Sequence, residues 1–257
     1  MRGITVAIHA LVVAAGAAPA PAQTTDPAAL AEQIQTLTVD AAARGDDAAL
    51  REAIALAERA LTVHPADALL HHYHGYALYR LAARHGCDTE AEPGCVWKLL
   101  ERAESALETS IQRGPRAETH ALLASVYGLM IGENGALGAT LGSRIDAVQA
   151  DALALGPENP RVWLLRGIGA FFTPEAFGGG VESAITALER SAAGFESDAP
   201  APPEPRWGEA DVHLWLGQAY AARGEVAQAR AQYERVLELE PENAWVRDEL
   251  LPGLAGS

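Results

Sequence analysis

Residues 210–243, ADVHLWLGQAYAARGEVAQARAQYERVLELEPEN, decide the fold of this 257-residue chain. Apolar and small residues follow one another there at the spacings of a two-helix structural repeat, namely Leu216-Gly217, Tyr220, Ala229, Tyr233 and Pro241. A single unit of this kind cannot bury its own apolar face and therefore needs neighbouring units. Because apolar residues recur at helical spacing through almost the whole chain, we expect a stack of helix pairs.

The stretch resembles the tetratricopeptide repeat (TPR), with His213 in the position that the family fills with Trp. The resemblance is weaker towards the N-terminus, although Trp163 and Gly167 stand at matching positions of an earlier pair. It implies an all-α fold, a right-handed α-solenoid of about five TPR-like helix pairs plus a C-terminal capping helix, in one domain at 23–257. Gly156–Arg161 and Phe177–Gly180 are also similar to segments of exported bacterial repeat proteins, which implies a shared architecture and no particular activity.

Pro and Gly punctuate the chain where helices are expected to end. The predicted helices cover 26–44, 47–63, 96–113, 143–155 and 181–195, with others from Ala68, around Leu123 and from Pro160, and a cap at 244–254. The connections between them are long for a repeat array: the insertion 85–95, the Gly-rich segments 132–142 and 173–180, and the Pro-rich loop 198–205. The Pro-rich loop is expected to be extended and stiff.

TPR proteins usually bind extended peptides or partner helices on the concave face, which the first helix of each pair lines. Carried onto matching positions here, the resemblance implies a groove formed by His72, Tyr76, Tyr79, Arg80, Arg161, Leu164, Ile168, Phe171, Phe172, Asp211 and Gln218. Aromatic residues and Arg concentrate binding energy at interfaces. The leading hypothesis is therefore a non-enzymatic scaffold that binds a protein or peptide of unknown identity. The alternative is that long loops fold over the groove, so that these side chains belong to the core.

A second hypothesis is a small-molecule or metal-binding protein whose pocket forms where 132–142 and 173–180 meet the groove. Backbone N–H groups at a helix start can hold an anion, but neither segment has the spacing of a phosphate-binding loop. His71 and His74 lie one helical turn apart without further ligands at recognisable spacing, so we predict no metal site and no cofactor. An enzyme is the least supported hypothesis, since neither G-x-S-x-G nor H-E-x-x-H occurs.

The N-terminus has the features of a Sec-type signal peptide, 1–22: Arg2, an apolar run over 4–18 and an A-x-A site before Gln23. We therefore expect a periplasmic or secreted protein without membrane insertion after cleavage. In an oxidising compartment Cys87 and Cys95, the only two cysteines, are predicted to form a disulfide. The net charge of −15 argues against nucleic acid and anionic membranes as partners. Self-association through the terminal repeats is left open.

Overall fold

The computed structural model describes residues 25–87 and 91–254, and the predicted signal peptide lies outside them. Within these residues the chain forms five consecutive helix pairs: α1 (Pro27–Arg44) and α2 (Asp47–Val63), α3 (Ala68–Ala83) and α4 (Cys95–Arg113), α5 (Ala117–Glu133) and α6 (Gly138–Leu155), α7 (Pro160–Phe172) and α8 (Val181–Phe195), and α9 (Glu209–Ala222) and α10 (Val226–Leu239). A π-helical turn, Val246–Leu250, and a short helix, Leu251–Gly253, follow as a C-terminal cap. This part of the chain contains no β-strand.

The helices stack as a solenoid. Each first helix packs against its own partner, and the first helices also pack on one another in the order α1, α3, α5, α7 and α9. The five first helices therefore form one continuous inner layer, while the second helices cover its outer side. The all-α solenoid of five pairs with a terminal cap is confirmed.

Two helices and the C-terminal cap begin where the sequence supplies a capping side chain after a proline turn. Asp67 caps α3 by accepting hydrogen bonds from the backbone N–H groups of Leu69 and Leu70, at 3.0 and 2.9 Å. Asn159 caps α7 in the same way, and Asn243 accepts from the N–H of Val246 at the start of the cap. Each of these residues satisfies a backbone donor that the first turn of a helix leaves free.

Close helix crossings explain the glycine of the repeat pattern. A Cβ atom built on Gly217 would lie 2.3 Å from Cε1 of Tyr233 on the partner helix, and one on Gly167 would lie 2.6 Å from Cγ of Leu188. Both distances are far below a van der Waals contact. The two helices of these pairs can therefore approach so closely only because glycine stands at the crossing.

One connection differs from the expectation. The Gly-rich segment 132–142 is mostly helical, because α5 continues to Glu133, a single 3₁₀ turn follows, and α6 begins at Gly138 rather than at 143. Packing of α6 against α5 outweighs the cost of about 1 kcal/mol that each helical glycine carries. In the insertion, α4 begins at Cys95, whose sulfur is bonded to that of Cys87 at 2.06 Å.

Candidate binding cavity

A Pro-rich strap, residues 198–207, crosses the inner face of the solenoid and ends at Trp207. The indole of Trp207 is only 2% exposed and stacks on the ring of Tyr76 with 4.7 Å between centroids. The guanidinium of Arg161 lies 5.9 Å from the centroid of the Trp207 ring and 5.3 Å from that of Phe195. Trp207 therefore fills the part of the groove between α3 and α7.

Polar contacts hold the rest of the strap along the first helices. The hydroxyl of Tyr73 donates to the carbonyl of Pro203 at 2.6 Å, and the N–H of Arg206 donates to the side chain of Gln35 at 2.6 Å. Ion pairs also join three strap residues to the solenoid: Asp198 to Arg161, Glu204 to Arg116 and Arg206 to Glu32. The strap is thus anchored from α1 to α7 and forms part of the inner surface.

Two of the predicted groove residues are buried beneath the strap. His72 is fully buried, with Nδ1 2.9 Å from the hydroxyl oxygen of Thr119, and burial lowers the pKa of its imidazole to about 3, with Arg116 and Arg161 adding to the shift. Arg161 is buried as well, 2.7 Å from the carboxylate of Asp198. Both were expected to line an open groove, and both instead support the strap. The alternative that a loop folds over the groove therefore holds for this half, and the loop is the Pro-rich one.

The other half of the inner face remains open as a central cavity of about 610 Å³. Six of the predicted groove residues line it: Tyr76, Tyr79, Arg80, Leu164, Ile168 and Asp211. They are joined by aromatic and polar residues that the sequence analysis missed, chiefly Trp207, Trp215, Trp245, Glu240 and Asn243. Residues 42–45 at the end of α1 and residues of the C-terminal cap complete the wall, so the curvature of the solenoid brings its two ends to one cavity.

An ion pair in the wall of the cavity joins α3 to α9. Nη1 of Arg80 lies 2.8 Å from Oδ2 of Asp211, and the same nitrogen donates to the hydroxyl of Tyr76 at 3.2 Å. Both charged side chains are about one-fifth exposed. The pair therefore fixes the Arg80 guanidinium to one wall, and the charge of Arg80 is already balanced by Asp211.

A second carboxylate in the wall has a different environment. Glu240 follows the last residue of α10, and its side chain accepts a hydrogen bond from Nδ2 of Asn243 at 3.0 Å. Burial raises the pKa of this carboxyl group to about 7, and the nearby negative charge of Asp211 adds to the shift. Glu240 therefore changes its charge close to neutral pH.

The remaining predicted groove residues lie outside the cavity. Phe171 and Phe172 form an edge-to-face cluster with Trp215, at 5.7 and 5.4 Å between ring centroids, and Phe172 is 68% exposed. This cluster lies beside the cavity, because Trp215 belongs to both. Gln218, on the following turn of α9, is half-buried and does not line the cavity.

The pocket predicted at the two Gly-rich segments is not the central cavity. No residue of 132–142 or 173–180 lines the central cavity, since 132–142 is mostly helical and Phe177 of the second segment is 81% exposed. The histidines of α3 also have other contacts: Nε2 of His71 lies 3.0 Å from the carbonyl oxygen of Pro65. Over 25–87 and 91–254, no group of three or more His, Cys, Asp or Glu side chains could hold a metal ion.

The buried carboxyl group predicts an unusual dependence of stability on pH. The pKa of Glu240 is higher in the folded protein than in the unfolded chain, so protonation of this carboxyl group favours the folded state. This contribution to the free energy of unfolding is complete below about pH 4.5 and is lost as pH rises through 7. We therefore expect Glu240→Gln to raise the free energy of unfolding by about 2 kcal/mol at pH 8 and to leave it unchanged at pH 4.5. Urea unfolding at the two pH values measures this, with the exposed Glu234 of α10, replaced by Gln, as the control. An equal effect of Glu240→Gln at both pH values would contradict the assignment.

Comparison with known proteins agrees with the fold. Residues 210–243, which contain α9 and α10, match the family model of the tetratricopeptide repeat. Among solved structures it is similar to TTC0263, a thermophilic TPR protein in Thermus thermophilus, with a TM-score of 0.58 and 22% identity over 88% of this chain and 99% of that one. It is also similar to the HusA haemophore from Porphyromonas gingivalis, with a TM-score of 0.54 and 24% identity over 73% of this chain and 94% of that one.

These identities show a shared fold and nothing finer. No curated protein matches the sequence. TPR domains generally mediate protein interactions, and proteins of the family are typically non-enzymatic scaffolds. None of the described helices combines the length and apolar character that crossing a membrane requires.

Proposed function

We propose that the protein is a non-enzymatic scaffold that takes a short segment of a partner protein into the central cavity. The observation that carries the proposal is the division of the inner face, in which the strap fills one half and leaves an aromatic-walled cavity of about 610 Å³ in the other. A groove shortened in this way accommodates a few side chains rather than a long extended peptide. Exposed aromatic residues at its edge, with Trp245 39% exposed, offer anchor points of the type that dominates interface energies.

We also propose that the protein acts in the periplasm or outside the cell. Two features support this. The N-terminal sequence has the composition and cleavage motif of a Sec-type signal peptide. The disulfide between Cys87 and Cys95 is of a kind that persists in oxidising compartments.

A small molecule is the second candidate for the same cavity, since its volume falls in the range of about 300–1,000 Å³ that is usual for small-ligand sites. The similarity in fold to a haemophore makes haem the first probe to use. Tyr79 lines the cavity, and tyrosine can ligate haem iron. However, burial raises the pKa of Tyr79 to about 12, which disfavours the phenolate that would bind the metal. We therefore place the peptide ahead of haem.

Selection of random heptapeptides on the mature protein, 23–257, tests the proposal. We expect a family of related peptides whose affinity falls about thirtyfold in Trp245→Ala, corresponding to about 2 kcal/mol for the loss of an aromatic anchor. Phe177→Ala, which removes an exposed aromatic side chain outside the cavity, is the control and should bind as the wild type does. Failure to enrich any peptide, together with saturable haem absorbance changes that Trp245→Ala abolishes, would replace the peptide by a small ligand.

A further inference from the structure

Glu240 is a cavity carboxylate without a cationic partner. Among the residues that the structure describes, its side chain has a hydrogen bond from the neutral amide of Asn243 and no ion pair. The negative charges of Asp211 and Asp40 raise the pKa of its carboxyl group, whereas Arg80, which is itself paired with Asp211, lowers that pKa. The free protein therefore holds a partly buried acidic group that has no ion pair of its own among the described residues.

The cations that line the cavity have other partners or lie at its edge. Arg80 is paired with Asp211 at 2.8 Å, and Arg84 is paired with Asp47 at 3.0 Å. Arg44 is exposed at the last turn of α1. On the C-terminal cap, the lining residue Asp248 is paired with Arg247 at 2.9 Å, and Glu249 adds one further acidic group. The charge that the cavity lacks is therefore positive.

Three further features favour a cation beside Glu240. The carboxylate follows the C-terminal end of α10, where unpaired carbonyl groups give the helix a partial negative charge. Trp215, Trp245 and Tyr79 line the same cavity, and the faces of aromatic rings attract ammonium and guanidinium groups. The net charge of −15 also attracts basic partners over a longer range.

We propose that the central cavity binds a Lys or Arg side chain of the partner segment, with the Glu240 carboxylate as its counter-ion and the tryptophan rings as the walls around its stem. This assignment rests on the proposed function and specifies the chemistry of the partner. Arg and Lys combine a cationic head with a long apolar stem, which matches a cavity that has an acidic group and aromatic sides.

The proposal implies binding that strengthens as pH rises. Because Glu240 has a pKa of about 7 in the free protein, a ligand that needs the carboxylate should bind about tenfold more weakly at pH 6 than at pH 8. The groups that face Glu240 are Asp211 on α9, Arg80 and Tyr76 on α3, and Asp40 on α1. Any contribution from these groups would persist in Glu240→Gln, which removes only the titration of Glu240.

The heptapeptides selected on the wild-type protein provide the test. We expect them to be enriched in Lys or Arg, and a histidine-free member should lose about tenfold in affinity between pH 8 and pH 6. Glu240→Gln, which retains an acceptor for Asn243, should bind that peptide at least tenfold more weakly at pH 8 and equally at both pH values. Glu234→Gln, on the exposed face of α10, is the matched control and should behave as the wild type does.

The outcomes separate this inference from the proposed function. Related peptides without a basic residue, bound equally well by Glu240→Gln, would overturn the cation site and leave the peptide scaffold intact. Basic peptides whose affinity does not change in Glu240→Gln would overturn it too, because another acidic group would then hold the charge. The absence of any enriched peptide would overturn both.

Discussion

Trp207→Ala should lower the free energy of unfolding by about 3–5 kcal/mol, the range for removing a fully buried aromatic side chain. The indole is stacked on Tyr76 and flanked by Arg161, and it closes the strap against α3 and α7. Its loss leaves a void beneath the strap and also weakens the packing of the Arg161 guanidinium. We expect the contacts of Pro203 and Arg206 with the first helices to open as well, because Trp207 fixes the end of the same segment.

Urea unfolding measures the change in stability, and hydrogen exchange over 198–207 reports whether the strap has been released. The control is Phe177→Ala, which removes an aromatic side chain that is 81% exposed and should change the unfolding free energy by less than about 0.5 kcal/mol. If Trp207→Ala unfolded at the same urea concentration as the wild type and the strap stayed protected from hydrogen exchange, the strap would not depend on this anchor.

Gly217→Ala should also destabilise the protein, by about 1–3 kcal/mol, although alanine is the better helix former. The added Cβ would lie 2.3 Å from a ring carbon of Tyr233, which is only 1% exposed and has no free space into which to move. The strain at the helix crossing therefore exceeds the gain of about 1 kcal/mol in helix propensity.

A second glycine provides the comparison. Gly128 lies inside α5, and a Cβ atom there would meet nothing within 4 Å. Gly128→Ala should therefore stabilise the protein by up to about 1 kcal/mol, so the two variants should differ by about 2–4 kcal/mol in urea unfolding. If both substitutions stabilised the protein, the close crossing of α9 and α10 would be wrong.

The repeat pattern explains why the fold could be predicted from the sequence. Within a pair, the residues that meet lie on two helices joined by a short turn, so the spacing of Gly217 and Tyr233 in the sequence indicates a local contact. Local signals of this kind are a capping residue after a turn and a glycine at a helix crossing. They predict most helix boundaries to within one or two residues of those in the structure. The exception was α6, whose early turns contain Gly138 and Gly142, because packing against α5 outweighs their low propensity for helix.

The strap and the cavity depend on contacts that local spacing does not encode. Gln35 and Arg206 are 171 residues apart, and nothing in either segment indicates that they meet. Trp245 and Glu240 reach the same cavity as residues 42–45 only because small rotations between successive pairs accumulate along the solenoid. The resemblance to the repeat family could therefore imply which helices line the inner face, but not which part of that face is filled.

The most direct test of the central claim is a crystal structure of the mature protein with the tightest selected heptapeptide. We predict that the peptide occupies the central cavity between Trp207 and Trp245, that a basic side chain lies against Glu240, and that the strap stays in place. A peptide bound on the outer helices, or one that has displaced residues 198–207 from the inner face, would contradict the account.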